Sequence, residues 1–581
     1  MTSFSILGKK WCEITPNERD VLTISQKLDV SLVIAKIILN RHISVENAAD
    51  YLNPTIKNLL QDPSLLLDMD KAIERVLRAL KTGQKIAIFA DYDVDGATSS
   101  ALLVKYFKEI GVDVGLYIPD RIDEGYGANP KALESLKKQG FDLVIMCDCG
   151  TTSYAALEHA EKLKLDVIVI DHHTADVNLP KCYALINPFR LDQSEKGKEA
   201  FKRLCTAGLA FVFLVALNRE RRTQNLTPLP DILMYLDLVA LGTVCDVMPL
   251  KDLNRAFVYQ GLKILNRRKN KGLVTLSDVA SISSEVAAYH LGFLLGPRIN
   301  AGGRVGKADL GSKLLSTDDL SKAKEIAQSL NFYNEERQTI EAIVLEQAYH
   351  IIELEKLYDN AVIVVAAKDW HPGVVGIVAS RIKDKFNKPS IVISLDEKGE
   401  GKGSGRSIYG VELGNMMHEA VHQGLLIKGG GHAMAVGISI YQDKIDEFKQ
   451  FLNDRLKESV EAYVPTLNID HTLSVQGVTV DFAKDLLKLE PYGQGNATPK
   501  FKVENVRATF IVPVGDGHFR VTFKDLGGNM LEAMAFRVRG TLLEDVLKNG
   551  TSNLHIVGSV KYDIWNGREK ASFIVEDVMI A

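Results

Sequence analysis

KIAIFADYDVDGATSSALLVKYFKEIG, residues 85–111, joins a short apolar run to a group of aspartates and then to a helical pattern. Residues 85–90 have the length and composition of a buried strand, and residues 99–111 place apolar side chains on one helix face. The same order recurs with the apolar runs DLVIMC (142–147) and DVIVI (166–170). Continuously apolar strands that alternate with helices predict a parallel sheet covered on both faces, and thus an α/β fold.

Acidic residues follow each of these three runs. They are Asp91, Asp93 and Asp95 after the first, Asp148 after the second, and Asp171 with His172 and His173 after the third. Side chains beyond the carboxyl ends of parallel strands meet at one edge of the sheet. Clustered carboxylates repel each other unless cations neutralise them, and oxygen ligands with one or two imidazoles suit Mn²⁺ or Mg²⁺ better than zinc. The sequence therefore predicts a metal site, and Asp246, after the apolar segment ALGTVC (240–245), is the candidate to complete it.

Simpler interpretations apply to these residues taken singly. An Asp after a strand is commonly a helix cap or a turn former, and Asp-His-His alone is compatible with a structural turn. Residues 91–96 are similar to a calcium loop, but Leu102 stands where such a loop needs Glu. The coincidence at three strand ends favours the metal site. Cys147 and Cys149 flank Asp148, point to the opposite strand face, and are interpreted as core residues.

Composition limits the class of protein. The 581 residues are 46% hydrophobic and 25% charged, and the net charge of −4 means that any nucleic-acid site must gather its positive charge in a groove. Six cysteines show no disulfide framework, the N-terminal stretch shows no signal-peptide pattern, and the longest apolar run, 207–217, is too short to cross a bilayer. These observations predict a cytoplasmic protein with no membrane contact.

The whole chain divides into five predicted segments. They are a helical N-terminal arm (1–80), the parallel-sheet domain (81–315), one or two long connecting helices (316–357), a second α/β domain with glycine-rich loops near 401–410 and 428–432 (358–462), and a small β-barrel of the oligonucleotide-binding type (463–581).

Several side chains are candidates for holding a nucleic acid. Four arginines in or beside glycine-containing stretches, interpreted as loops, predict a phosphate-tracking groove, although each alone is more often a surface ion pair: Arg121, Arg298, Arg304 and Arg406. The barrel adds aromatic residues interleaved with basic ones, which is typical of single-strand binding: Phe519, Phe523, Phe536, Tyr562 and Trp565. About half of these aromatics must be barrel core. We expect Tyr562 and Trp565 to be exposed.

These motifs together resemble those of the DHH phosphoesterase superfamily. The segments that carry the resemblance are residues 91–99, Asp148, 171–173, Asp246, 296–304, 371–376, 403–407, 429–433 and EPYGQGNATP (490–499). Asp91, where many members have His, is similar to the branch of exonucleases specific for single strands. The resemblance covers nearly the whole chain, and Gly302, where the family usually has Ala, is a small change in a predicted tight turn.

The resemblance implies an exonuclease that degrades single-stranded DNA from the 5′ end to mononucleotides, in DNA repair and recombination. It implies two divalent ions, Mn²⁺ or Mg²⁺: one held by Asp93 and Asp148 with Asp91 beside it, the other by Asp95, Asp148, His172 and Asp246. It also implies that His173 contacts the scissile phosphate or holds the surrounding ligands in place, and that Asp171 orients the histidines. Ser404 and Arg406 would anchor the 5′ phosphate, and the implied substrate-binding residues nearby are Arg298, Asn300, Arg304 and His432. A single-strand-binding protein, a helicase and mismatch-repair factors are the implied partners.

Two other functions compete with this interpretation. One is a short-oligonucleotide or cyclic-dinucleotide phosphodiesterase of the same superfamily, whose chains lack the C-terminal barrel. The other is a non-enzymatic, DNA-binding replication scaffold, whose relatives have lost metal ligands, whereas every acidic motif position is filled here. A covalent mechanism through Thr98 or Ser404 is disfavoured, because neither hydroxyl has a His–Asp pair within its motif.

Overall fold

The computed structural model describes residues 4–120, 124, 127–550, 553–565 and 567–581. The chain forms two compact units. The first consists of residues 1–303, 307–328 and 465–581, and the second of residues 304–306 and 329–464. The α/β architecture with a parallel sheet and a C-terminal barrel is confirmed.

A five-stranded, all-parallel sheet lies at the centre of the first unit. Its spatial order is Gly115–Tyr117, Ile86–Ala90, Leu143–Cys147, Asp166–Ile170 and Ala184–Ile186. Every residue of the Ile86–Ala90 and Leu143–Cys147 strands is buried, because helices cover both faces, which explains their uninterrupted apolar sequence. The helices around and after this sheet are Val94–Glu109, Pro130–Lys138, Tyr154–Lys162, Glu195–Phe201, Thr206–Thr223, Leu236–Cys245, Asp252–Leu265, Lys271–Val279, Ala288–His290, Gly296–Val305 and Leu310–Ser316, with a π-helical turn at Leu291–Leu295.

The N-terminal arm and the barrel share one apolar core, to which Ile34 and Ile38 of the arm and Phe501 and Val521 of the barrel belong. The arm contains the helices Glu18–Leu28, Leu32–Asn40, Ala48–Leu52, Ile56–Leu59 and Met69–Thr82, and also the strand Lys10–Glu13, which pairs in parallel with Thr466–Ile469. The barrel strands are His471–Leu473, Phe501–Val514, His518–Asp525, Met530–Ala535, Leu554–Trp565 and Arg568–Ile580, with the helices Val480–Leu487 and Leu542–Asn549. Pairing of Phe501–Val514 with Leu554–Trp565 closes the barrel.

Arg255 joins these parts of the first unit. The residue is 1% exposed, and its guanidinium carbon lies 3.9 Å from the centroid of the Tyr51 ring. Its nitrogens donate to the backbone carbonyls of Tyr51 in the arm and of residues 489–491, which lie between the barrel strands His471–Leu473 and Phe501–Val514, at 2.6–3.3 Å. A buried cation shared among four carbonyl dipoles therefore fixes the arm and the barrel to the helix Asp252–Leu265.

The second unit contains a five-stranded mixed sheet in the order Lys428–His432, Ala435–Tyr441, Glu400–Arg406, Ser390–Leu395 and Ile363–Lys368. Its helices are Val375–Phe386, Leu413–His422 and Ile445–Glu461. The predicted connecting segment is a single helix, Leu320–Leu354, of 35 residues. The prediction of glycine-rich loops was wrong for residues 400–406 and 428–432, which are strands. Gly401, Gly403 and Gly405 make room for branched side chains of neighbouring strands, and Gly429 packs closely against Leu426.

A helix can cross a membrane only when it is both long and apolar. In the described ranges, no single helix is both long and apolar enough to cross a membrane. One bent pair, Glu195–Phe201 with Thr206–Thr223, passes that test by length and composition, and most residues of its second helix are buried in the protein.

Asp237 is a buried acid near the start of the helix Leu236–Cys245. Its Oδ1 accepts the N–H of Leu238 at 2.8 Å. Burial raises the pKa of Asp237 to about 7, against the opposing effects of that hydrogen bond and of the Lys105 charge. The folded chain holds this proton more tightly than the unfolded chain, so the carboxyl group progressively destabilises the fold as pH rises from about 4 to about 7.

We expect Asp237→Asn to raise the melting temperature at pH 8 by at least about 2 °C, because a buried charge is removed, and to raise it clearly less at pH 5. Scanning calorimetry at both pH values measures the difference. Asp113→Asn, at an exposed position of the same unit, is the matched control. Equal shifts at the two pH values would show that Asp237 does not titrate as its burial implies.

Candidate metal centre

The carboxyl ends of four neighbouring parallel strands bring polar side chains to one edge of the sheet. Asp91 follows Ile86–Ala90, Asp148 follows Leu143–Cys147, Asp171 follows Asp166–Ile170, and Asn187 follows Ala184–Ile186. All four residues are at most 3% exposed. The sequence analysis did not identify the fourth strand end. Asn187 directly follows the apolar triplet ALI, so the rule that residues after apolar strands lie at the carboxyl edge of the sheet applies to it as well.

Asp93 fixes the loop after the first strand. As the N-cap of the helix Val94–Glu109, its Oδ1 accepts the N–H groups of Asp95 at 2.9 Å and Gly96 at 3.1 Å. A Cβ at position 96 would lie 2.1 Å from the Asp91 carbonyl oxygen, so only glycine fits there. The turn therefore holds the three aspartates of this loop in fixed relative positions.

Asp95 is held by the start of another helix. Its two carboxylate oxygens accept the N–H groups of Thr206 and Ala207, at 2.6 and 2.8 Å, at the beginning of the helix Thr206–Thr223. The Thr206 hydroxyl in turn donates to Asp148 Oδ1 at 3.1 Å. Thr206 is thus a positioning residue that the sequence analysis missed, since its only signal is one polar residue at the start of an apolar run.

His172 lies among three carboxylates. Its Nε2 is 3.5 Å from Asp148 Oδ1, 3.5 Å from Asp246 Oδ2 and 3.8 Å from Asp95 Oδ2. Asp246 reaches this point from the C-terminus of the helix Leu236–Cys245. Its Oδ2 is buried and receives no hydrogen bond from any residue in the described ranges. A buried carboxylate oxygen beside an imidazole is an unfilled acceptor, as expected of a cation ligand.

The ligand atoms form overlapping groups, each within a 4.8 Å span. These groups are Asp91, Asp93 and Asp148; Asp95, His172 and Asp246; and Asp148, His172 and His173. Asp148 belongs to two of the groups, and its backbone has a φ of +63°, a left-handed conformation that is uncommon for residues other than glycine. The surrounding structure therefore holds Asp148 in a strained conformation at the centre of the cluster.

The cluster is electrostatically unfavourable without a cation. Burial and the neighbouring carboxylates raise the pKa of Asp148 well above its usual value, and the same two causes raise the pKa of Asp246 to about 9. Burial also raises the pKa of Asp95, which the charge of His172 only partly offsets. Divalent cations relieve this repulsion. The donor set of oxygen atoms and imidazole matches manganese or magnesium.

Asp171 and His173 form a separate hydrogen-bonded pair beside these groups. Asp171 Oδ1 accepts His173 Nδ1–H at 2.7 Å, and Asp171 Oδ2 accepts the N–H of Thr151 at 3.0 Å. Burial opposes the charge of Asp171, but these hydrogen bonds and His173 hold the pKa of Asp171 well below its usual range. Burial likewise opposes the charge of His173, yet Asp171 and the nearby carboxylates raise the pKa of His173 to about 9. Asn187 Nδ2 donates to the His173 carbonyl at 2.8 Å, which fixes the backbone of the pair.

The cysteines and the Thr98 hydroxyl do not supply further chemistry. Cys147 and Cys149 are buried, as predicted, and all six cysteines are free thiols. Burial raises the pKa of the Cys147 thiol, so it stays protonated. Thr98 Oγ1 donates to the Val94 carbonyl of its own helix at 2.7 Å and is fully buried, which excludes it as a nucleophile.

In the second unit, Ser404 and Arg406 lie side by side on the strand Glu400–Arg406. Arg406 Nη1 donates to Ser404 Oγ at 3.0 Å and to the Gly405 carbonyl at 2.8 Å. A Cβ on Gly376, in the first turn of the helix Val375–Phe386, would lie 3.0 Å from Ser404 Oγ and 3.1 Å from Arg406 Nη2. The arginine and the hydroxyl therefore meet a helix N-terminus, a combination that binds anions.

Other predicted substrate residues of the second unit lie near this pair. Arg304 Nη1 donates to the Gly373 carbonyl at 2.8 Å, in the loop before the helix Val375–Phe386. His432 is exposed and pairs in register with Ala435, which pairs with Arg406 on the next strand. His432 is thus two strands, or about 10 Å, from Arg406.

The interpretation of residues 296–304 as a tight turn was wrong, because they belong to the helix Gly296–Val305. Arg298 Nη1 donates to the Leu294 carbonyl at 2.8 Å, and Asn300 is half-buried in the same helix. Gly296 and Gly303 serve close packing there: a Cβ on them would lie 2.4 Å from Cys245 Sγ and 2.8 Å from the Tyr92 ring, respectively. Arg121 lies outside the described residues.

The exposed aromatic residues of the barrel differ from those expected. Tyr562 is only half-buried rather than exposed, and its hydroxyl hydrogen-bonds Glu569 at 2.8 Å, while the side chain of Trp565 lies outside the described part. Phe519 and Phe523 are buried in the barrel, whereas Phe536 is 50% exposed.

Comparisons with known proteins agree with this geometry. Residues 85–243 match the DHH family, N-terminal domain; residues 359–458 match the DHHA1 domain; and residues 469–577 match the RecJ OB domain. The fold and the acidic sheet edge thus define a protein of the DHH class.

Relatives that match nearly the full length of the chain identify its family within this class. The chain is 32% identical to the single-stranded-DNA-specific exonuclease RecJ of Bacillus subtilis (strain 168), over 98% of this chain and 71% of that protein. It is 33% identical to RecJ of Escherichia coli (strain K12), over 91% and 93%. The crystal structure of RecJ in complex with Mn²⁺ from Thermus thermophilus matches with a TM-score of 0.81 and 28% identity, over 98% and 79%. The chain belongs to the RecJ family of single-stranded-DNA-specific exonucleases.

Proposed function

We propose that this protein is a metal-dependent exonuclease that hydrolyses single-stranded DNA from its 5′ end to mononucleotides, in DNA repair and recombination. The observation that carries the proposal is the convergence of Asp91, Asp93, Asp95, Asp148, His172 and Asp246 at one edge of the parallel sheet. Relatives over nearly the whole chain carry the name single-stranded-DNA-specific exonuclease, which supports the same substrate.

Two of the donor groups support a site for two divalent ions, manganese or magnesium, and the third group, Asp148, His172 and His173, links them. Asp93 and Asp148 would hold one ion with Asp91 beside it, and Asp95, His172 and Asp246 would hold the other, with Asp148 between them. The orphaned Asp246 Oδ2 and the mutual repulsion of the carboxylates fit this assignment. When bound, two divalent ions activate water as the nucleophile and stabilise charge on the attacking and leaving oxygens.

Residues of the protein would orient the substrate phosphate, and His173 would hold a proton beside it. Asp171 fixes His173 through Nδ1, so that a protonated ring offers Nε2–H as a donor to a phosphate oxygen. The side chain of His173 is 40% exposed, whereas that of Asp171 is 2% exposed, so His173 is the member of the pair that a substrate can reach. Thr206 keeps Asp95 and Asp148 in place from the buried side.

We assign the 5′-to-3′ direction of digestion to a pocket formed by Ser404, Arg406 and Gly376, which would bind the 5′ end of the strand. No carboxylate in the described part of the chain forms an ion pair with Arg406, and burial lowers the pKa of its guanidinium. A half-buried arginine without a carboxylate partner is stabilised by an anion that accepts hydrogen bonds from two of its N–H groups. A terminal 5′ phosphate is such an anion, and its capture explains polarity.

We expect Arg406→Ala to reduce the preference for a 5′-phosphorylated over a 5′-hydroxyl strand by about tenfold, because one charge-assisted phosphate contact is lost. Gly376→Ala should act in the same direction, since its Cβ would intrude on both Ser404 and Arg406. The measurement is the ratio of initial rates on the two strands. Arg455→Ala, an exposed arginine paired with Glu419, is the matched control and should leave the ratio unchanged. A ratio unaffected by both pocket variants would remove the pocket from the proposal.

The proposed function itself is tested by digestion of a long oligonucleotide labelled at either end. With Mn²⁺ or Mg²⁺, a 5′ label should appear at once as mononucleotide, whereas a 3′ label should pass through progressively shorter strands. The matching duplex should be resistant, and EDTA should stop the reaction. Release of the 3′ label first, equal digestion of duplex, or rapid hydrolysis restricted to dinucleotides would each contradict the proposal.

The proposed function also includes a cytoplasmic location and a set of protein partners. Six free cysteines suit a reducing cytoplasm, since thiols persist there. A single-strand-binding protein, a helicase and mismatch-repair factors are the partners proposed for a nuclease acting on exposed single strands. Affinity capture with the purified chain, followed by reconstitution with each protein, tests them.

A further inference from the structure

Tyr289 and Phe293 form a stacked pair of rings on the protein surface. Their centroids are 4.9 Å apart, the interplanar angle is 23°, and the residues are 61% and 68% exposed. Side chains four residues apart meet on one face of a helix, so the pair is pre-stacked before any ligand arrives. Two large aromatic residues left mostly in water carry a hydration cost that a flat aromatic ligand would remove.

The helix that carries the pair runs to the metal centre. Residues 288–305 are helical throughout, with a π-helical turn at Leu291–Leu295, a feature that is frequent at functional sites. The π turn lies against the cluster, because Cys245, the neighbour of Asp246, donates its thiol to the Leu291 carbonyl at 3.3 Å. Farther along, Gly296 packs on Cys245 and Gly303 on Tyr92. At 1.5 Å per residue, the two contacts with Cys245, at Leu291 and at Gly296, lie about 3 and about 10 Å along the helix axis from Tyr289.

Basic side chains accompany the rings. His290 follows Tyr289 with ring centroids 5.8 Å apart, and burial together with the charge of Lys561, on the barrel strand Leu554–Trp565, lowers the pKa of His290. The cation on this side of the rings is therefore Lys561. Arg298 lies on the same helix toward the metal centre. Stacked aromatics beside cations are the usual means of gripping a single strand, in which bases stack on rings and phosphates meet the positive charge.

We propose that Tyr289 and Phe293 stack nucleobases of a single-stranded DNA within a few nucleotides of the reacting phosphate, because the helix that carries them contacts Cys245, the neighbour of Asp246, at both Leu291 and Gly296. The inference rests on the proposed function and deepens it. It gives the enzyme a sequence-independent grip, because every base has a π face. A duplex keeps its bases paired and stacked internally, so the same rings favour a single strand.

The test measures binding without turnover. Oligonucleotides carrying 2-aminopurine at successive positions from the 5′ end are titrated with the full-length protein in EDTA. Wild type should quench the fluorescence most strongly at one or two positions within a few nucleotides of the 5′ end. Tyr289→Leu/Phe293→Leu, which keeps the apolar character but removes the rings, should abolish that local quenching and weaken affinity by about tenfold. Tyr289→Phe/Phe293→Tyr, which keeps both rings, should retain both signals.

The control is Tyr441→Ala, which removes a ring that is 55% exposed at the end of a strand in the second unit. Quenching and affinity unchanged in the double Leu variant would overturn the inference and would assign the rings to a protein partner. An equal loss in Tyr441→Ala would also overturn it. Because the read-out is metal-free, these results are separate from the proposed function, which fails only if the wild-type protein with Mn²⁺ does not digest single strands.

Discussion

Asp148→Ala is expected to lower the rate of single-strand hydrolysis by at least about 10⁴-fold, the size of loss seen when a member of a catalytic set is removed. Asp148 is shared by two donor groups, and it lies 3.5 Å from His172 Nε2. Its loss would therefore disturb both proposed ions together rather than weaken one. No other described carboxylate has the same position, since each of the others, including Asp91 and Asp95, belongs to one group only.

A second substitution at this position, Asp148→Asn, should leave the protein folded, which separates a chemical defect from a structural one. In EDTA, we expect Asp148→Asn to melt at or above the wild-type temperature, because one of several mutually repelling buried carboxylates becomes neutral. Adding Mn²⁺ should raise the melting temperature of wild type much more than that of Asp148→Asn, since a ligand stabilises the state that binds it.

Companion variants and a control complete this test. His172→Ala and Asp246→Ala should also abolish turnover with folding intact, whereas Asp113→Ala, at an exposed position of the same unit, should not affect it. Turnover within tenfold of wild type in Asp148→Ala, with manganese stabilisation preserved, would mean that the ions are held elsewhere.

The sequence predicts the sheet edge because the signal there is local. Each apolar run is a complete strand, buried on both faces, and the residue that follows it must lie at the carboxyl edge. Thr206 is different, because it is far from Asp95 and Asp148 in the sequence and contacts them only in the folded chain. No periodicity or spacing near position 206 encodes that contact.

Glycine is the residue whose role the sequence leaves ambiguous. Residues 400–406 look like a flexible loop, but a Cβ at Gly401, Gly403 or Gly405 would lie 2.6–2.8 Å from isoleucine or valine side chains of adjacent strands. These glycines are required by close packing and not by turn geometry. Gly296 and Gly303, in the helix Gly296–Val305, are also required by close packing. Only the facing residue, known from the structure, distinguishes the two uses.

Asp171→Asn is expected to lower turnover by about 100-fold at pH 8, although Asp171 belongs to none of the donor groups. The carboxylate accepts hydrogen bonds from His173 Nδ1, Thr151 N–H and the backbone N–H of His172. An amide of the same shape must turn its NH₂ group toward one of these donors, so at least one hydrogen bond is lost. The histidine pair then loses the anion that orients it.

The pH dependence identifies the cause of that loss. In wild type, Asp171 and nearby carboxylates raise the pKa of His173 to about 9, so the ring is largely protonated at pH 8. Removing the negative charge lowers the pKa of His173, and the alkaline limb of the pH–rate profile should move to lower pH in Asp171→Asn. Asp176→Asn, an exposed acid five residues away that accepts from Tyr154, should leave the profile in place.

A double-mutant cycle decides whether Asp171 acts through His173. If Asp171 serves to orient and charge that ring, Asp171→Asn should cost much less than 100-fold in a His173→Ala background, because the interaction is already absent. Full additivity of the two losses would mean that Asp171 supports the edge through Thr151 instead, and an unchanged profile in the single variant would mean that His173 carries no proton that matters to the reaction. Coupling between the variants together with a shifted alkaline limb is the combination that only a charged, oriented His173 produces, since a purely structural defect lowers the rate equally at every pH.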